Sequence, residues 1–148
     1  MINYATISSA LQAQLLADAT VAGLLKVARI ERGGFMNVDA DNTPWVGVYR
    51  GGISYAPRTL GSDQNWEATP NIRVIAQTSD LKSGERCEDS LEALVKAIND
   101  AILTDTTIGG TVDIVTGFDV EYSYREDERT SVHFQQAIIT IGMEVATQ

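Results

Sequence analysis

Between Ser83 and Val145 the spacing of the apolar residues changes from helical to alternating, and the change falls across one glycine pair. In "SGERCEDSLEALVKAINDAILTD", Cys87, Leu91, Leu94, Val95, Ile98 and Ile102 recur at steps of four, three, one, three and four. That spacing puts them on one stripe of an α-helix, predicted over Gly84 to Leu103. Ser83 stands where a hydroxyl can cap the first turn, and Glu85, Glu88 and Asp89 complement the positive end of the helix dipole. After Gly109 and Gly110, the residues Val112, Ile114, Phe118, Val120, Tyr122 and Tyr124 alternate with polar ones, the pattern of a half-buried strand. Glycine enters positive φ without a Cβ clash, so the pair reads as the place where the helical run stops and the chain reverses into a sheet. A charged turn, "REDERT" at 125–130, follows. From Val132 to Val145 a second strand then carries His133, Ala137, Ile139, Ile141, Met143 and Val145 on one side. The two strands form a long C-terminal hairpin.

A helix with one apolar stripe needs a surface to bury it against, and the first half of the chain supplies more strand and helix. Residues 4–17 carry Ile7, Ala10, Leu11, Gln14, Leu15 and Leu16 on the face of a first helix, and Asp18 or Thr20 is placed to cap a short second one through Leu25. "ERGGFMNVDADNTP" loses all periodicity and reads as a loop. "WVGVYRG" from Trp45 reads as a strand, and "ISYAP" continues it after Gly51 and Gly52 as a bulge or turn. Between Asn65 and Thr78, Trp66, Ala68, Pro70, Ile72, Val74 and Ala76 share a face. Pro70 has no N–H to give a ladder, so the strand is expected to start at Asn71 or to lie at an edge there. The order α(α)ββαββ predicts a single α+β domain over 1–148: a mostly antiparallel sheet with helices packed on one face, closing with the long hairpin.

Charge then narrows the function. Eleven Lys and Arg against 20 Asp and Glu leave a formal net charge of −9, so the average surface repels phosphate, which argues against tight nucleic-acid binding. There is no basic residue before Lys26 and no stretch of about 18 uninterrupted apolar residues, so neither an export signal nor a membrane span is expected. The lone Cys87 reads as a small buried hydrophobe.

No chemistry declares itself. One histidine, His133, cannot build a triad or a zinc site alone. "DADNTP" at 39–44 fails as a calcium loop, because Pro44 stands where glycine is needed and Arg50 where the bidentate Glu belongs. The glycine pairs match neither a dinucleotide nor a phosphate loop. Glu126, Asp127 and Glu128 are adjacent carboxylates on a hairpin tip, where high dielectric keeps their pKa values together. Trp45, Tyr49, Tyr55 and Trp66 offer rings for a ligand surface, a core or a subunit interface. No catalytic, cofactor or metal residue is assigned; the candidate interface is the tip Arg125, Glu126, Asp127, Glu128 and Arg129.

In the stretches "ISSALQAQLLADATVAGLLKVARI", "SLEALVKAINDAIL" with "TIGGTVDIV", and "FQQAIITIGMEV", the chain resembles the tail terminator, or tail completion, proteins of long-tailed bacteriophages. The segments Gly33 to Asn42 and Arg58 to Trp66 have no counterpart in that resemblance. It implies a structural virion protein with no enzyme activity and no cofactor, forming a homo-oligomeric ring, a hexamer. Such a ring docks on the last ring of the tail-tube protein, stops its polymerisation and meets the head connector proteins. DNA passes through without specific binding, no membrane is involved, and the ring is assembled in the host bacterial cytoplasm and resides in the virion tail. A head-to-tail connector or a tail-tube subunit shares the small, β-rich, ring-forming character; a small-molecule binding module is the reading from another class.

Overall fold

The computed structural model describes residues 2–33, 40–57, 66–127 and 132–147. Helix α1 (Tyr4–Ala17) starts at Asn3, whose side chain accepts from the Ala5 N–H at 3.0 Å, and it buries Ile7, Leu11 and Leu15, one residue per turn. Asp18 ends it and begins α2 (Ala19–Leu24) by accepting from the N–H groups of Thr20 and Val21, both at 3.0 Å. Of the two predicted caps, Asp18 is the one used, because its carboxylate satisfies two orphan donors at once.

Five strands make one sheet: β1 (Glu31–Arg32), β2 (Trp45–Pro57), β3 (Trp66–Asp80), β4 (Ile114–Asp127) and β5 (Val132–Thr147), in the order β1-β2-β3-β5-β4. All pairs are antiparallel except β1 with β2. β1 lies inside the stretch read as a loop; two residues are too few to show alternation, and only the pairing of Glu31 with Gly47 and Arg32 with Val48 reveals them as strand. Helix α3 (Gly84–Leu103) is capped by the Ser83 side chain, which accepts from the Arg86 N–H at 3.2 Å. The whole predicted stripe from Cys87 to Ile102 is buried, joined by Ala97 and Ala101. It packs with Ile7, Leu11, Leu15 and Val21 on Val46, Val48, Ile72, Val74, Ala137, Ile139 and Ile141 in one core, so the helices share a face of the sheet. The fold is α+β, as the element order predicted.

Pro70 is neither at the start of its strand nor at an edge. β3 runs continuously from Trp66 to Asp80 in the middle of the sheet, between β2 and β5. Two local breaks accommodate the missing donor. Toward β5 the paired residues pass from Ala68 with Val145 to Asn71 with Gly142, and toward β2 the register shifts between Arg50 and Ile53 just where Ile53 meets Pro70. The extra residue of that bulge is held by Asn71. Its Oδ1 accepts from the Gly52 N–H at 3.0 Å, and the Tyr4 hydroxyl donates to the carbonyls of Gly52 at 2.5 Å and Asn71 at 3.2 Å.

The glycine pair does not end α3. The helix stops at Leu103, where the Thr104 hydroxyl donates to the Ala101 carbonyl, and Gln14 Nε2 from α1 lies within 3.0 to 3.2 Å of the carbonyls of Ala101, Ile102 and Asp105. Gly109 (φ 65°) and Gly110 (φ 78°) instead shape the turn that follows, together with Ile108, whose φ is 47° although it is β-branched. Full burial holds Ile108 in that region. The Asp105 carboxylate binds the turn together, accepting from the Thr107 hydroxyl at 2.6 Å, the Thr107 N–H at 3.0 Å and the Gly109 N–H at 2.9 Å. These bonds, the Thr107 hydroxyl first, lower its pKa below the ordinary carboxylate value.

Candidate interaction surface

Pairing across the sheet assigns each side chain to a face, because directly opposed residues point the same way. Before the β2 bulge, Trp45, Gly47 and Tyr49 lie opposite Gln77, Ile75 and Arg73, on the face free of α-helices, which the 3₁₀ turn Ala40–Asn42 touches at Ser79, whose hydroxyl donates to the Ala40 carbonyl at 3.3 Å. After it, Ile53, Tyr55 and Pro57 lie opposite Pro70, Ala68 and Trp66, on the helix side. The four aromatic residues with ligand-surface potential are therefore split. Trp45 and Tyr49 face away from the helices, whereas Tyr55 and Trp66 face toward them at the far end of the sheet. A ring-stacking site made of all four does not exist in this fold.

On the helix-free face the Trp45 ring lies over Gly47: a Cβ there would stand 2.5 Å from Cη2 and 3.0 Å from Cζ2. Beside it Ile75 is only 2% exposed, and Gln77 Nε2 donates to Gln136 Oε1 at 2.7 Å. Farther along, the residues of β4 on this face are Asp119, Glu121 and Ser123, all exposed. The face thus runs from aromatic at β2 to acidic at β4.

A second bulge, between Val115 and Gly117, turns the start of β4 over. Val115 pairs with Met143 and looks to the core, while Ile114, expected on the same side as Phe118, pairs with Glu144 on the helix-free face and is 46% exposed. Val112, expected to open the strand, is buried in the preceding turn. Phe118 and Val120 pack against the core as alternation required, but Tyr122 (52% exposed) and Tyr124 (57%) project at its margin. Partial burial, then the nearby Glu92 carboxylate, raise the Tyr122 pKa.

The hairpin tip is shorter than the turn read from the sequence. Arg125, Glu126 and Asp127 belong to β4, paired with Phe134, His133 and Val132, because the ladder continues until the chain must reverse. Glu128 and Arg129 lie outside the described residues.

The groups with chemical potential are occupied structurally. Cys87 is fully buried, its thiol 3.4 Å from the Thr78 carbonyl and 3.5 Å from that of His133, and burial raises its pKa, the opposite of an activated thiolate. The His133 ring packs over Gly84 at the start of α3, with Nδ1 3.4 Å from the Tyr124 hydroxyl. Among the described residues no three His, Cys, Asp or Glu side chains converge as a metal site.

What remains open is backbone. β4 is an outer strand, and no strand lies on its far side among the described residues. The turn takes the Val115 N–H, through the Thr106 carbonyl at 2.9 Å, so the free edge begins beyond it, at 117–123. At the opposite side β1 covers β2 only at Gly47 and Val48, and Tyr4 reaches the Gly52 carbonyl, which leaves 53–57 uncovered among the described residues. Asp119 and Glu121 stand on the β4 edge without a cation among 117–123, whereas 53–57 carries no charged residue. Of the cations near the start of β2, Arg29 pairs with Glu31, and Arg32 reaches the Ser9 hydroxyl of α1.

No protein-family model and no curated protein matches the chain. Among solved structures, a chain from "Virion of native gene transfer agent (GTA) particle" is similar, with a TM-score of 0.48 and 16% identity over 93% of this chain and 93% of that chain. A likeness of that size carries no argument about function.

Proposed function

We propose that this protein is a structural subunit of a phage-type virion: it forms a ring that caps the tail tube, ends tube polymerisation and presents a surface to the head connector. The sequence resemblance to tail terminators points to that role. The observation that carries it structurally is a sheet with its α-helices on one face and, toward each side, a stretch with no strand on its outer side among the described residues, 53–57 of β2 and 117–123 of β4. A monomer normally blunts such edges, whereas a subunit of a closed assembly uses them. The acidic strip Asp119 and Glu121 on the face away from the α-helices suits a wall past which DNA slides, since it offers phosphate nothing to bind. No enzyme activity forms part of the reading.

The test is electron microscopy of the protein mixed with unterminated tail tubes. Tubes that stop growing and carry one additional ring at a single end support the proposal; tubes that keep growing with no added density refute it. In parallel, duplex DNA binding measured by anisotropy at physiological salt is expected to be undetectable. A sub-micromolar affinity that weakens with salt would contradict the channel-wall role.

A further inference from the structure

We propose that residues 117–123 of β4 take up an extended, basic segment of a different protein as an added strand. The proposal rests on the ring reading only in placing that segment in a neighbouring virion protein. β4 pairs with β5 on one side and has no strand on the other among the described residues, and open backbone N–H and C=O groups are met by another strand. The side chains select which one. On the face away from the α-helices Asp119 and Glu121 are exposed, and directly across the ladder stand Thr140 and Ile138, which give them no cation. Arg125 comes only beyond the stretch. On the other face Tyr122, 52% exposed, lies by the Glu92 carboxylate of α3. Glu88 and Glu85 stand one and two turns before Glu92 on the same exposed flank, while Lys96, one turn after it, is paired with Asp100 at 3.1 Å. Carboxylates thus flank the edge on both faces, and the exposed tyrosine ring is a further surface that a cation can cover. A second copy of this chain supplies no matching segment. Antiparallel self-pairing centred on Val120 sets Asp119 opposite Glu121, and like charges across a strand pair are destabilising. The stretch 53–57 has no charged residue and stands beside Glu67, on the same face of the sheet as Asp119 and Glu121. Complementary charge on a basic strand fixes partner and register and speeds encounter more than it adds affinity.

Peptides test the edge directly on the full chain. The probe is a short peptide of alternating Lys and Thr, compared with a twin of identical charge whose alternate backbone nitrogens are methylated and with a Glu and Thr counterpart. Binding is read by anisotropy and by hydrogen exchange at the 117–123 amides. The Lys peptide is expected to slow exchange at 117–123, to outbind the Glu counterpart, and to bind at least about tenfold tighter than the methylated twin, the worth of one or two hydrogen bonds. Asp119→Asn with Glu121→Gln is expected to fold as the native chain does and to weaken the Lys peptide about tenfold at low salt. Equal binding of the methylated twin, or protection elsewhere than 117–123, would overturn the proposal, because charge alone would then explain the contact. For the natural partner, a benzophenone is attached at Ser123→Cys, the native Cys87 being buried, and is activated on tail tubes and in assembled particles. Mass spectrometry of the cross-linked species is expected to find a segment of another protein with net positive charge. Cross-links to a second copy of this chain, to a segment without net positive charge, or none at all on tubes that carry the ring would overturn the proposal. Edge-specific binding of the Lys peptide by a protein that adds no ring to tubes would support the proposal and refute the ring reading alone.

Discussion

Gly51→Ala probes the device on which the two-faced architecture depends. A Cβ at Gly51 would overlap Asn71 Oδ1, stand 2.7 Å from Asn71 Cγ and lie 2.9 Å from the Asn71 backbone oxygen. The side chain can swing away, but then the Gly52 N–H loses its 3.0 Å bond to Oδ1, a loss of about 0.5–1.5 kcal/mol. The backbone oxygen cannot swing, and forcing a methyl group into a packed site costs about 1–3 kcal/mol. Replacing glycine restricts the unfolded chain and returns about 0.4–1 kcal/mol. The expected net destabilisation is about 1–3 kcal/mol, which at about 2–4 °C per kcal/mol for a chain of this size is visible in thermal and urea unfolding. Asn71→Ala supplies the control: in its background most of the overlap is gone, so adding Gly51→Ala should cost less than in the native background. A Gly51→Ala protein within about 0.5 kcal/mol of native, or equal costs in both backgrounds, would refute the account of the bulge.

Leu94→Ala, at a position 1% exposed in the centre of α3, is expected to cost about 2–5 kcal/mol in chemical denaturation; less than about 0.5 kcal/mol would mean α3 is not the main core element. Asp105 has its pKa lowered in the fold, so its contribution to stability is complete above the unfolded carboxylate value near 3.9 and is lost as pH falls through the lower folded value. Asp105→Ala should therefore flatten the decline of melting temperature below about pH 4, and an unchanged slope would show that the turn does not depend on the charge. Reversing Arg125 and Arg129 together is expected to leave circular dichroism and melting unchanged and to impair tail capping. Full complementation of a phage lacking the protein would remove the tip from the interface.

The elements themselves were legible in the chain because their signals are local. The stripe from Cys87 to Ile102 needs only helical spacing to declare itself, Ser83 and Asp18 are caps by virtue of their position, and the two strands of the closing hairpin alternate on either side of a charged reversal. That the fold is α+β followed from the order of these elements. The interaction surface was not legible, because it depends on properties that belong to pairs of strands. Alternation assigns residues to the same face only while register holds, and each bulge, at Gly51-Gly52 and before Gly117, exchanges the faces of everything beyond it. Hence Trp45 parts from Tyr55, and Ile114 from Phe118. Periodicity equally does not say which strand is central. Pro70 alone argued for an edge, yet β3 has neighbours on both sides because a bulge absorbs the missing donor. The outer positions of β4 and β2, with no strand on the outer side of 117–123 or 53–57 among the described residues, arise only when strands distant in sequence are set side by side, and strand order is decided by which arrangement buries the α3 stripe while satisfying the backbone.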